Sequence, residues 1–238
     1  MRKNKESVIF RTTQEESCDV FTHGILSDDE WHLGESLNRI SQNSWEHRYN
    51  QEADILTQVI TENNVKHIIE LGSGPGVLCS KLLPKNNIDS YNLVDIEAAK
   101  IANKDKKFGG IFHVRDLNNG LEIELPNRMD LFIANDFLEH IQSPAKIILD
   151  VKKLMTDDGL AFISVPNWRM GHAWIYRGLF DWDNFIHFMW QHGFGFEGYA
   201  NSDLKCSPFP KLDSEKTIPD DAIDSWNFYM LFKRNDNE

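Results

Sequence analysis

His67-Ile68-Ile69-Glu70-Leu71 runs directly into Gly72-Ser73-Gly74-Pro75-Gly76, and this stretch decides the fold. A short apolar run gives way to glycines at one-residue gaps, and Val77–Leu83 then reads as a helix stopped by Pro84. Strand, glycine turn and helix in that order form the ligand-binding corner of an open parallel sheet. Glycine lets backbone approach a ligand with no Cβ in the way, and the start of a helix directs free N–H groups at it. Gly72, Gly74 and Gly76 are therefore candidate binding residues. Their spacing is GxGxG rather than the GxxG ending of a dinucleotide fingerprint. Glu70, two residues before the first glycine, would repel a pyrophosphate and suits an ammonium instead.

Working outward, the same unit recurs. Tyr91–Val94 is a second strand ending at Asp95, with helix-like Ala98–Asn103 after it. Ile111–Val114 is a third strand, before Asp116, and Asp130–Ala134 a fourth. Ala145–Met155 is a helix closed by Asp157-Asp158-Gly159, and Leu160–Val165 a fifth strand stopped by Pro166. Continuous apolar runs alternating with helices predict a parallel sheet buried on both faces. Upstream, helical spacing runs from Trp31 to about Thr61, with Ala53, Leu56, Val59 and Ile60 as its apolar stripe. The expected organisation is a polar leader over residues 1–30 and one domain over 31–238. Within that domain, 31–64 form a helical cover, 65–166 the binding core, 167–192 an aromatic cover and 193–238 the C-terminal strands.

Composition narrows the partners. A chain of 238 residues suits one elaborated α/β domain. Its formal charge of -12 opposes non-specific binding to a phosphate backbone, so a small molecule is expected rather than nucleic acid. Cys18, Cys79 and Cys206 form no CxxC and read as reduced thiols. No apolar stretch reaches the roughly 20 residues needed to cross a bilayer, and the basic N-terminus lacks an apolar signal core. A soluble, cytoplasmic protein without a membrane partner is expected.

From Val65 to Asn167 the chain resembles class I S-adenosylmethionine-dependent methyltransferases. IIELGSGPGVLCSKLL is similar to their first motif, Ile133-Ala134-Asn135-Asp136-Phe137-Leu138-Glu139-His140-Ile141 to their LEHI-type segment, and KKLMTDDGLAFISVPN to the helix, turn and fifth strand that follow. The resemblance implies an α/β, Rossmann-like fold with helices on both faces of a mainly parallel seven-stranded sheet. Its last strand is antiparallel, with Phe194–Tyr199 and Trp226–Phe232 as the sixth and seventh strands. It implies S-adenosylmethionine as cofactor and S-adenosylhomocysteine as product, with the methionine ammonium near Glu70. The ribose hydroxyls would meet Asp95 beside Ile96, and the adenine amine would meet Asp116 beside Leu117. Asn135 would line the pocket. Taken singly, Asp95 also reads as a helix N-cap and Asp116 as the start of a polar turn into Asn118-Asn119-Gly120. Their joint occurrence after successive strands favours the cofactor.

Asp136, Glu139 and His140 form a D-x-x-E-H cluster. On a helix, Asp136 shares a face with both partners. Three such side chains would hold a divalent ion, whereas in the resembling fold the segment more often makes local hydrogen bonds. The expected metal set is therefore none, and Asp136 and His140 stand as catalytic candidates. After Asn167, the aromatic and basic residues Trp168, Arg169, His172 and Tyr176 are the expected acceptor contacts, with Trp174, Arg177, Phe180 and Trp182 completing a cover. Phe185, Phe188 and Met189 read as core. Arg48 or Tyr49 is expected to close over the methionine end. The expected reaction is methyl transfer to a small molecule, oxygen slightly preferred over nitrogen. The alternatives are an NAD-dependent oxidoreductase on a related fold and a non-catalytic binding partner.

Overall fold

The computed structural model describes residues 43–166, 182–201 and 227–235. In chain order these form helix α1 (Asn43–Glu62), strand β1 (His67–Leu71), helix α2 (Val77–Leu82), strand β2 (Ser90–Asp95), helix α3 (Glu97–Lys106) and strand β3 (Ile111–Val114). After a 3-10 turn at Leu117–Asn119 come strand β4 (Met129–Asn135) and a second 3-10 turn at Leu138–His140. Helix α4 (Pro144–Leu154), strand β5 (Met155–Pro166), helix α5 (Trp182–Gln191), strand β6 (Phe194–Asn201) and strand β7 (Asn227–Arg234) complete the series. The strands make one seven-stranded sheet in the order β3-β2-β1-β4-β5-β7-β6. Strands β1 to β5 pair in parallel, and β7 inserts antiparallel to both β5 and β6. The Rossmann-like architecture implied by the resemblance is the one present. Strand order reverses between β1 and β4, which places a ligand crevice at their carboxyl ends.

Alternation along the strands sorts side chains to two faces. Ile69 and Leu71 join Phe132, Met230 and Phe232 in one core, closed by α4 and α5 through Ile147, Ile148, Val151, Phe185, Phe188 and Met189. Ile68 joins Leu131, Ile133, Tyr229 and Leu231 in the other, closed by α1 through Ala53, Leu56, Val59 and Ile60. Each large apolar side chain of that α1 stripe contributes roughly 1.5–3 kcal/mol by leaving water. The same parity aims Glu70, Asn135 and Ser164 at the α1 face, at the ligand end of the sheet. This one phase relationship builds the polar part of the site.

One boundary differs from expectation. Asp157-Asp158-Gly159 lies inside β5 rather than ending a helix, since α4 stops at Leu154. Register shifts there: Met129 faces Met155 while Leu131 faces Leu160, so the β5 segment bulges out of the ladder. The bulge leaves Asp157 and Asp158 in solvent, with side chains 78% and 91% exposed. The residues before Asn43 of the helical stretch expected from Trp31 to about Thr61 lie outside the described residues, as does the region from Asn167 to Asp181. Among the described residues no helix is long and apolar enough to cross a membrane.

Candidate active site

All three loop glycines have positive φ, at 64° for Gly72, 51° for Gly74 and 87° for Gly76. Packing explains the outer two. A Cβ on Gly72 would run into the Phe137 ring, and one on Gly76 would meet Leu93 and Asn103. At Gly74 nothing among the described residues lies within 4 Å of where a Cβ would be, so the middle of the loop opens a notch. The Gly72 N–H donates to the Val94 carbonyl at 3.0 Å, tying the loop to β2. Asp95 completes the tie: its Oδ2 accepts the Gly74 N–H and its Oδ1 the Ile96 N–H, each at 2.7 Å. Ile96, not Asp95, occupies the N-cap of α3, so the carboxylate turns to the glycine loop instead of capping a helix.

Asp116 does start the polar turn. It accepts the Asn118 N–H at 3.0 Å and the Asn119 Nδ2–H at 2.9 Å. It is exposed, and it lines a surface cavity of about 340 Å³ with Val114, Arg115 and Asn119. Leu117 is buried in the core below. A larger cavity of about 480 Å³, between Asp158, Glu197, Lys233 and Arg234, sits at the opposite edge of the sheet, away from the glycines. Its basic groups are already paired, Lys233 with Asp158 at 3.1 Å and Arg234 with Asp157 at 3.5 Å.

Under α1, buried polar groups gather around the strand ends. Glu70 is buried and accepts the Tyr91 hydroxyl proton at 2.7 Å. Burial pushes its carboxyl up to about 8 against that bond, and the charges of Glu52 and Asp95 push the same way. Glu52 is wholly buried. Its Oε1 accepts from Arg48 Nε at 2.7 Å and from the Tyr229 hydroxyl at 3.0 Å, and its Oε2 accepts from Asn135 Nδ2 at 3.3 Å. Arg48 also pairs through Nη1 with Asp136 at 2.6 Å and lies 5.9 Å from the Tyr229 ring centre. Burial works against its charge, but Asp136 and Glu52 outweigh that and hold Arg48 protonated. Ser164 Oγ donates to Asp136 Oδ1 at 2.9 Å. Asn135 Oδ1 is buried with no hydrogen-bond partner among the described residues.

The D-x-x-E-H cluster does not form a helical face. Asp136 has φ 45°, in the left-handed region, and only Leu138–His140 makes a 3-10 turn. Glu139 is wholly buried, and burial raises its carboxyl well above the usual range. Its Oε1 lies 3.7 Å from His140 Nε2, and the His140 side chain is 31% exposed. Among the described residues no group of three or more His, Cys, Asp or Glu is disposed to hold a metal ion. Trp168, Arg169, His172 and Tyr176 lie outside the described residues. Glu52, Tyr91, Ser164 and Tyr229 were not anticipated. A signal existed for the first: Arg48 and Glu52 extend the 56–60 apolar stripe by i,i+4 steps, and a charged pair on a buried stripe calls for a polar partner.

Residues 44–196, well over half of the chain, match the family described as "Methyltransferase domain". Solved structures share the fold at low identity. An S-adenosylmethionine-dependent methyltransferase from Clostridium acetobutylicum ATCC 824 is 11% identical with a TM-score of 0.62, over 85% of this chain and 98% of that one. The plantazolicin methyltransferase BamL, in complex with a triazolic desmethylPZN analog and SAH, is 12% identical with a TM-score of 0.64, over 97% and 99%. The N-methyltransferase NodS from Bradyrhizobium japonicum WM9, in complex with S-adenosyl-L-homocysteine, is 14% identical with a TM-score of 0.56, over 95% and 98%. No curated protein matches the chain.

Proposed function

The chain belongs to the methyltransferase-domain family, the class I S-adenosylmethionine-dependent enzymes, and on that premise we propose that it methylates an oxygen of a small-molecule acceptor, with the cofactor on the Glu70–Gly76 loop. One observation carries the cofactor assignment: the Asp95 carboxylate joins the end of β2 to Gly74, beside a notch that no side chain of the described residues fills. A carboxylate can accept both hydroxyls of a diol, and this one is fixed in place by one loop amide on each oxygen. That geometry fits a ribose diol. Glu70 would take the methionine ammonium, Asn135 would face the same end, and Asp116, Ile96 and Leu117 would surround the adenine. Gly72 and Gly76 shape the loop. Bound there, S-adenosylmethionine supplies a methyl group on a sulfonium, whose departure as a neutral thioether needs no acid.

The chain's own contribution is positioning and proton removal. Asp136 is held by Arg48 and Ser164, so it positions the strand end rather than taking a proton. His140, partly exposed beside Glu139, is the base for a hydroxyl acceptor. Trp168, Arg169, His172 and Tyr176 are assigned to the acceptor on their aromatic and cationic pattern. Replacing His140 by glutamine is expected to lower kcat about tenfold and leave S-adenosylhomocysteine affinity unchanged. That is less than the usual effect of losing a general base, because the leaving group is already activated. Transfer of labelled methyl to pools of alcohols, phenols and amines tests the acceptor class. Label on hydroxyl compounds, unaffected by chelator, is expected; label on amines alone would overturn the oxygen assignment.

A further inference from the structure

Glu52 lies outside every catalytic or binding role assigned above, yet it is wholly buried and accepts from Arg48, Tyr229 and Asn135. Arg48 Nε and the Tyr229 hydroxyl both occupy Oε1, which leaves Oε2 to face the Asn135 amide. Burial raises the Glu52 carboxyl above its usual range, but the Arg48 guanidinium at 2.7 Å opposes this; as the partner of that cation Glu52 acts as a carboxylate, which accepts from the amide nitrogen and not from the amide oxygen. Asn135 Oδ1 is thereby left on the other side of the amide, buried and without a hydrogen-bond partner among the described residues, an arrangement that a donor from a ligand would relieve. The chain leaving β4 crosses onto the glycine loop, where Phe137 covers Gly72. Asp95 lies across β1 from it, on the β2 side. Asn135 therefore stands at the end of the crevice away from the ribose-facing acid.

We propose that Glu52 is a positioning residue that fixes the side-chain amide of Asn135 so that Oδ1 accepts a hydrogen bond from the cofactor's ammonium. This rests on the cofactor reading above. The relay runs from α1 and β7, through Glu52, to the end of β4, and it links closure of α1 over the sheet to the shape of the binding site.

Exchanging the two groups tests it. In Glu52→Gln, the new amide keeps its oxygen towards Arg48 and Tyr229 and aims its NH2 at Asn135. The Asn135 amide must then flip and present a donor to the ammonium. In Asn135→Asp alone, two carboxylates face each other. The double variant Glu52→Gln with Asn135→Asp restores a donor opposite an acceptor and leaves a carboxylate oxygen on the ligand side. By calorimetry with S-adenosylhomocysteine, Glu52→Gln, Asn135→Asp and Asn135→Ala are each expected to bind about fivefold more weakly than the native protein. The double variant is expected to return to within about twofold. A double variant as weak as Glu52→Gln, or an Asn135→Ala protein that binds as tightly as the native one, would overturn the relay. Asn135→Ala keeps the Glu52 ion pair and serves as the deciding arm if Glu52→Gln fails to fold. Failure of the native protein to bind at all would instead remove the cofactor reading beneath it.

Discussion

Asp95→Ala is expected to weaken S-adenosylmethionine binding about hundredfold, and at least tenfold. Hydrogen bonds to a charged group contribute about 1.5–3 kcal/mol each, and the diol reading asks Asp95 for two. The same substitution also releases the Gly74 and Ile96 amides that the carboxylate now holds at 2.7 Å. Asp95→Asn should fall between native and alanine, because an amide offers one acceptor end and turns a donor towards an N–H. Calorimetry on folded protein reads the effect directly. Unchanged affinity in Asp95→Ala would refute the assigned site.

Glu70→Gln should separate binding from stability. The carboxyl ionises near 4.5 when unfolded and near 8 when folded, where burial dominates. Between those values the folded chain holds a proton that the unfolded chain has released, so stability falls as pH rises through that window. At pH 7 the loss is on the order of 3 kcal/mol. Glutamine cannot ionise and can still accept the Tyr91 hydroxyl. The variant should therefore be more stable than the native protein at pH 7, should lose its share of the slope between pH 5 and 8, and should bind S-adenosylhomocysteine more weakly. Denaturant unfolding at several pH values checks this. An equally steep slope in the variant would show that Glu70 is ionised in the folded protein. A residue that destabilises its own fold is expected where ligand binding, not packing, sets the residue type.

Much of the fold was legible because its signals are local. The run from His67 to Leu71, the glycine spacing and the recurring strand-helix units lead to the observed parallel sheet, and the α1 stripe predicted its buried face. The nicotinamide alternative does not survive the family match, as the GxGxG spacing after Glu70 suggested. What sequence alone did not reveal depends on tertiary contacts. On a helix Asp136 would share a face with Glu139 and His140, but Asp136 takes a left-handed conformation in which it pairs with Arg48 and Ser164. The start of β5 was hidden because Asp157-Asp158-Gly159 reads as a turn, and a bulge is a turn that re-enters the ladder. Glu52 was not singled out, although with Arg48 it extends the apolar stripe of that helix by i,i+4 steps. Only the parity that brings Asn135 and Tyr229 to the same face gives it partners 83 and 177 residues away.

Backbone amide signals followed by NMR, as S-adenosylhomocysteine is added to the isotope-labelled protein, locate the cofactor on the sheet. The Gly74 and Ile96 amides, both bonded to Asp95, are expected to shift with a single-site profile. Amides around Asp158 and Lys233, at the opposite edge of the sheet, should stay in place. Binding that moves the Asp158–Lys233 region and leaves Gly74 unmoved would contradict a cofactor site on the glycine loop.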